Sequence, residues 1–135
     1  MRTLISQSEC YQLWIDENKQ RLYVRLTGYW NQENIFFNYL KDLKSATAFF
    51  DNQFDCHADF NSLKPFSSKN HIECHYKALQ LLINLGLKNS AQILPEDPIA
   101  SKQILQIINN FGKATVFGES ELLEAYLDSY MVFAA

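Results

Sequence analysis

Glycine, proline and cysteine are all scarce in this 135-residue chain, which holds 4, 3 and 3 of them. So little glycine and proline excludes collagen-like repeats and low-complexity linkers, and 47% hydrophobic against 20% charged residues is the balance of a globular chain. The cysteines, Cys10, Cys56 and Cys74, are odd in number and lack C-x-x-C spacing. They read as free thiols of a reducing compartment, with neither a disulfide framework nor a zinc knuckle. An excess of positive charge is missing too: 12 Lys and Arg face 15 Asp and Glu, for a net charge of −3. That removes the electrostatic footprint of a nucleic-acid binder. No long apolar run is present. Met1 to Cys10 alternates polar with apolar residues, and Leu79 to Leu87 is broken by Gln80, Asn84 and Gly86. These fall short of a secretory signal and of the ~20 apolar residues that span a bilayer, so the expectation is a cytoplasmic protein without membrane insertion. G-x-G-x-x-G and P-loop runs are absent as well, which leaves nucleotide binding by those cradles unsupported. The length suits one domain, residues 1–135.

What is present is a clear succession of periodicities. Tyr11 to Asp16 and Arg21 to Thr27 alternate apolar with polar residues, and Glu17-Asn18-Lys19-Gln20 joins them as a hairpin. After Gly28, Asn31 is an N-cap candidate for a helix carrying Ile35, Phe36, Tyr39, Leu40 and Leu43 to about Phe49. Phe54 to Phe60 alternates again, a third strand. Beyond Pro65, Ser67 or Ser68 caps a second helix with Ile72, Tyr76, Leu79, Leu82 and Ile83 on its apolar stripe, and Gly86 ends it as a left-handed cap. Ser90 to Leu94 makes a fourth strand, Asp97-Pro98 opens a third helix, Ala114 to Phe117 makes a last strand, and Leu122, Leu123, Tyr126 and Leu127 belong to a fourth helix.

The resulting order is ββαβαβαβα. It predicts an α/β fold with a five-stranded, mainly parallel, single-wound sheet, its first strand antiparallel, and four helices. Strands buried on both faces would be continuously apolar, yet the first three alternate. The expectation is therefore one covered face, carrying Leu13, Ile15, Leu22, Val24, Leu26, Cys56, Ala58 and Phe60. Trp14, Tyr23, Arg25, Asp55, His57 and Asp59 would lie on an open one.

Several residues are of the types that carry chemistry. His71 and His75 stand four apart on one helix with Cys74 beside them, but Glu73 is two residues after His71 and points off the shared face. The expectation is solvated helix-face histidines and no metal. Asp55, His57 and Asp59 put an imidazole between carboxylates on one strand face with Arg25 on the next strand, a grouping suited to acid–base work. Same-face neighbours sit ~7 Å apart, so a solvated or interface-forming polar face is the simpler reading. The rim at the carboxyl ends of the strands is the default binding site of an open α/β sheet. Tyr29, Trp30, Asp59, Ser62, Phe66, Ser67 and Ser68 are its candidate residues, with Phe36-Phe37 beside them. Ser67 and Ser68 sit where free helix N–H groups favour an anion, or serve as ordinary N-caps.

The element order also resembles the STAS domain of sulfate transporters and anti-sigma-factor antagonists, with its SpoIIAA-like relatives. The likeness spans nearly the whole chain. It is carried by Leu26-Thr27-Gly28-Tyr29-Trp30, by Ala58-Asp59-Phe60-Asn61-Ser62-Leu63-Lys64-Pro65-Phe66-Ser67, by Leu85-Gly86-Leu87 before Ala91, and by Val116-Phe117 leading to Glu121-Leu122-Leu123. In the antagonists a phosphorylatable serine in an Asp-Ser-Ser-Gly run starts the helix after the third strand. Counting forward from Asp59-Phe60 places Ser68 on that position, with Ser67 for the Asp and Lys69 and Asn70 for the Ser and Gly. The sequence is similar to the bacterial branch that shares this fold with lipid-binding CRAL-TRIO-type domains. The resemblance implies a non-catalytic binding or regulatory module without a cofactor, recognising a protein partner or a small lipid-like, apolar or anionic ligand. A phosphoregulated switch at Ser68 and a small enzyme using Asp59 and His57 are the alternatives. Trp14, Tyr23 and the apolar tail Tyr130 to Ala135 further suggest a homodimer.

Overall fold

A computed structural model describes residues 1–111 and 115–134, with the backbone alone for 131–134. The elements run β1 (Thr3–Gln7), β2 (Tyr11–Asp16), β3 (Arg21–Leu26), α1 (Glu33–Thr47), β4 (Phe54–Asp59), α2 (Lys69–Leu85), β5 (Leu87–Ile93), α3 (Pro98–Asn109) and α4 (Ser120–Ala134). The five strands lie side by side in chain order, β1-β2-β3-β4-β5. β1, β2 and β3 pair antiparallel, and β4 and β5 continue parallel to β3, so each βα unit steps one strand along a single-wound sheet.

The α/β class and the strand and helix totals are as expected, but one strand is supplied from elsewhere. Thr3–Gln7 adds an N-terminal edge strand. At the other end, Ala114 lies outside the described residues, and Val116 makes an isolated parallel bridge to Gln92. Local caps follow the sequence closely. Asp97 accepts from the Ile99 and Ala100 amides with Pro98 in the first turn, and Ser68 accepts from the His71 amide. The first cap differs. Gln32, with no side-chain bond, replaces Asn31 at the start of α1.

Register decides the two faces. Leu13 faces Val24, Ile15 faces Leu22, and these continue to Ala58 and Cys56. Against this apolar face pack Phe36, Tyr39 and Leu43 of α1, Ala78 and Leu82 of α2, and Ile104 and Ile107 of α3. Fully burying each of these Phe, Leu and Ile side chains stabilises the fold by ~1.5–3 kcal/mol. A cavity of about 60 Å³ remains, lined by Val24, Ala58, His75, Leu82 and Ile104 among others. An apolar cavity of ~150 Å³ is what admits benzene, and this one is smaller.

The opposite face is not open, which corrects the sequence expectation. α4 crosses β4 and β5 there. Its Leu123 and Leu127 bury Ala91 and Ile93, and Tyr23 and His57 are buried at 2% and 3% exposure. Trp14 and Asp59, half-buried, and Arg25, exposed, keep solvent contact, with the guanidinium 5.2 Å from the Trp14 ring. Alternation misled because the covering helix meets this face with charged as well as apolar residues, and buried polar strand residues with partners alternate like solvated ones.

Candidate functional site

The parallel strands end together, so the turns after β3, β4 and β5 and the first turns of the helices gather at one rim. Two of these turns are joined directly. Gly28 donates its N–H to the Ser62 carbonyl, and the Lys64 N–H donates back to the Gly28 carbonyl, bridging Gly28 to Leu63. The Phe60 amide donates to the Ile93 carbonyl and the Glu96 amide to the Asn61 carbonyl, which ties the third turn in. These four backbone hydrogen bonds stitch the turns into one surface.

Its candidate residues divide. Ser62, Ser67 and Ser68 are exposed, Asp59 is half-buried, and Tyr29 is 62% exposed. Trp30 and Phe66 turn inward, at 1% and 5% exposure. They enclose His75, whose ring centroid lies 4.5 Å from each, together with Phe36 and Tyr39. His75 is therefore a core residue and not a solvated one. Burial, then the neighbouring His71, lowers its pKa to about 3, and its Nε2 has no partner among the described residues. His71 is half-buried, 3.3 Å from the Ser67 hydroxyl through Nδ1. Cys74 is half-buried beside it. Among the described residues no three His, Cys, Asp or Glu side chains converge as a metal site needs.

Asp59 accepts from the Asn61 amide at 3.0 Å and stands 3.6 Å from Arg25. Both border an open polar cleft of about 500 Å³ that runs past Gln12, Ser62 and the β1–β2 turn. Asp59, His57 and His71 do not meet: His57 lies under α4, His71 on α2 over the other face, and Asp59 at the strand end. The acid–base grouping expected of Asp59 with His57 is not formed.

His57 instead joins a buried network that the sequence reading missed. Arg21, fully buried on β3, donates through Nη1 to Glu124 Oε1 at 2.8 Å and Asp128 Oδ1 at 2.7 Å, and its Nη2 lies 3.6 Å from Asp55. The Tyr23 hydroxyl and Lys19 Nζ donate to Glu124 Oε2. His57 contacts Glu124 Oε1 through Nδ1 at 3.2 Å and the Ser120 hydroxyl through Nε2 at 3.0 Å. Burial alone would raise the Glu124 carboxyl. Hydrogen bonds from His57 and Tyr23, with the Arg21 charge and Lys19, outweigh it and hold the group well below the usual carboxylate range. Glu124 and Asp128 stand one helical turn apart, a spacing that does signal one acidic stripe; their partners on β3 and β4 lie more than sixty residues away and give no local signal.

Comparison with solved structures gives one informative likeness. The anti-sigma factor antagonist SpoIIAA in its unphosphorylated form superposes with a TM-score of 0.55 over 86% of this chain and 95% of its own, at 15% identity. The fold is STAS-like. No family model and no curated protein matches the sequence. Such low identity carries architecture alone. Among the described residues, no helix of this STAS-like fold is long and apolar enough to cross a membrane.

Proposed function

We propose that the chain is a STAS-like regulatory module that docks a protein partner on the rim around Ser68. The carrying observation is the pairing of exposed aromatic surface with that serine. Tyr29 and Phe37, 62% and 71% exposed, flank the Trp30–Phe36–His71 ring chain, whose last member donates its amide to Ser68 Oγ. Large exposed aromatics at a rigid, backbone-paired surface are the usual anchors of a protein interface. The small size of the cavity under the helices favours this over a lipid-like guest. Three free thiols fit a cytoplasmic setting.

A second reading, phosphoregulation, is favoured by Ser68 itself. Its hydroxyl is exposed, caps α2, and would carry a phosphate at a helix N-terminus beside Lys69. That SpoIIAA is described in an unphosphorylated form agrees with such a switch.

Photo-crosslinking in the native cell tests both. A crosslinker at Phe37 is expected to trap one discrete protein, a crosslinker at exposed Glu17 in the far hairpin to trap none, and Tyr29→Ser to abolish the adduct. Equal trapping from both positions, or none, overturns the docking reading. An adduct between two copies makes a homodimer the occupant instead. Ser68→Asp keeps the cap and adds charge, so loss of the adduct in that variant supports the phosphoswitch and an unchanged adduct opposes it.

A further inference from the structure

On the sheet face away from the rim aromatics, Ser120, His57 and Glu124 stand in the order hydroxyl, imidazole, carboxylate. The imidazole Nε2 is 3.0 Å from Ser120 Oγ and its Nδ1 is 3.2 Å from Glu124 Oε1. We infer that these three residues form a serine-nucleophile relay that hydrolyses small neutral carboxylic esters, independently of any partner at the rim.

The placement follows from the fold. Ser120 and Glu124 are one helical turn apart and share a face of α4, and His57, inward on that side of β4, enters between them. With Glu124 held as a carboxylate by Arg21, Lys19 and Tyr23, the proton of the neutral imidazole belongs on Nδ1. Nε2 is then a lone-pair acceptor facing the serine hydroxyl. Exposure is divided as a nucleophile and its base require: Ser120 is exposed while His57 is 3% exposed.

The backbone supplies the rest. Val116 bridges to β5, Gly118-Glu119 turns, and Ser120 opens α4, the strand–turn–helix setting in which a serine is presented at the top of a sheet. The run Gly118-Glu119-Ser120-Glu121-Leu122 has Leu where a G-x-S-x-G elbow has its second glycine. In α4 the Leu123 amide is bonded to the Glu119 carbonyl, and the amides of Ser120, Glu121 and Leu122 have no protein acceptor among the described residues. These N–H groups are donors for the oxygen of a tetrahedral intermediate. Leu122 and Val116, 55% and 41% exposed, offer contact to a short acyl chain, and exposed Glu119 and Glu121 disfavour anionic esters.

In the reaction, Ser120 Oγ bonds to the ester carbonyl carbon as its proton passes to His57 Nε2. The carbon–alkoxy bond then breaks, and the imidazolium returns that proton to the leaving alkoxide, releasing alcohol. Water attacks the acyl-serine by the same path, giving the carboxylic acid and free Ser120, with one water consumed per ester.

Incubation of the full chain with a fluorophosphonate, followed by intact and peptide mass measurement, tests the relay alongside initial rates on p-nitrophenyl butyrate. One phosphonyl group on Ser120 is expected in the folded protein and none after denaturation. Ser120→Ala and His57→Gln should each lower turnover at least 100-fold. Ser120 is exposed, so its alanine variant keeps the fold by circular dichroism and the result stays readable if His57→Gln does not fold. Absence of a Ser120 adduct, a stoichiometric adduct elsewhere, or turnover unchanged in Ser120→Ala overturns the inference. Each of these outcomes leaves the Phe37 crosslink, and so the rim reading, untouched.

Discussion

Gly86 closes α2 at φ +117°, donating its own amide to the Ile83 and Leu82 carbonyls, and a β-carbon there would run into the Asn52 backbone carbonyl. Gly28 has φ +68° but open space around it. Both substitutions to alanine therefore carry the left-handed penalty of ~1–2 kcal/mol, while only Gly86→Ala adds a backbone collision. Urea unfolding should show Gly28→Ala losing about 1 kcal/mol and Gly86→Ala more than about 2 kcal/mol; equal losses would mean the Asn52 segment moves aside freely. Positions such as Gly86, Ser68 and Asp97 were readable in the sequence because their duties concern amides and carbonyls within four residues. Trp30 and Phe66 were not. An aromatic in a turn carries no local mark of whether it lies on the rim or reaches a buried histidine, and the outcome here depends on α1 and α2 meeting over them.

α4 illustrates the same limit at the scale of an element. Its apolar residues marked it as a helix, but its destination is set by Arg21, which has no solvent access and three carboxylates, Asp55, Glu124 and Asp128, around it. Arg21→Ala would leave those carboxylates facing one another. Breaking a buried pair costs ~3–5 kcal/mol, and because Glu124 and Asp128 retain solvent contact the expected loss is about 2–3 kcal/mol. In native-state hydrogen exchange that variant should release the α4 amides first, with β3 and β4 protected as before; a uniform drop across the sheet would show that Arg21 serves the whole core and not the docking of one helix. At β1 the alternation of Met1 to Cys10 was read only as the lack of a signal segment and not as a strand. Its pairing with β2 shifts register between Leu4 and Ser6, and Ser6 is spent on a hydrogen bond to Asp42 of α1. That bulge also blunts an edge strand otherwise available to a neighbouring chain.

Across the whole molecule the sheet separates an apolar side under three helices from a charged side under one, and the two sides meet acid differently. On the apolar side His75 is held neutral: burial and then His71 push its pKa to about 3, against ~6.5 for an unfolded chain. Between those values the unfolded chain binds a proton that the folded one does not. Its contribution to stability is complete above about pH 6.5 and is lost progressively as the pH falls toward 3. On the charged side Glu124 and Asp128, with Asp16 near the amino terminus, are held below their ordinary values and are ionised in both states at pH 6. Their stabilisation is withdrawn only below about pH 5, when the unfolded chain begins to protonate its carboxylates. The interval from pH 6.5 to 5 is thus where His75 acts apart from these three carboxylates. His75→Leu, close in volume and without the orphaned Nε2, should flatten stability over that interval while preserving the steep loss below pH 5. Urea midpoints measured at half-unit steps would decide it: an unchanged slope between pH 6.5 and 5 in the leucine variant would mean that the acid sensitivity arises on the charged face, beneath α4, and that His75 is protonated as readily in the core as in the open chain.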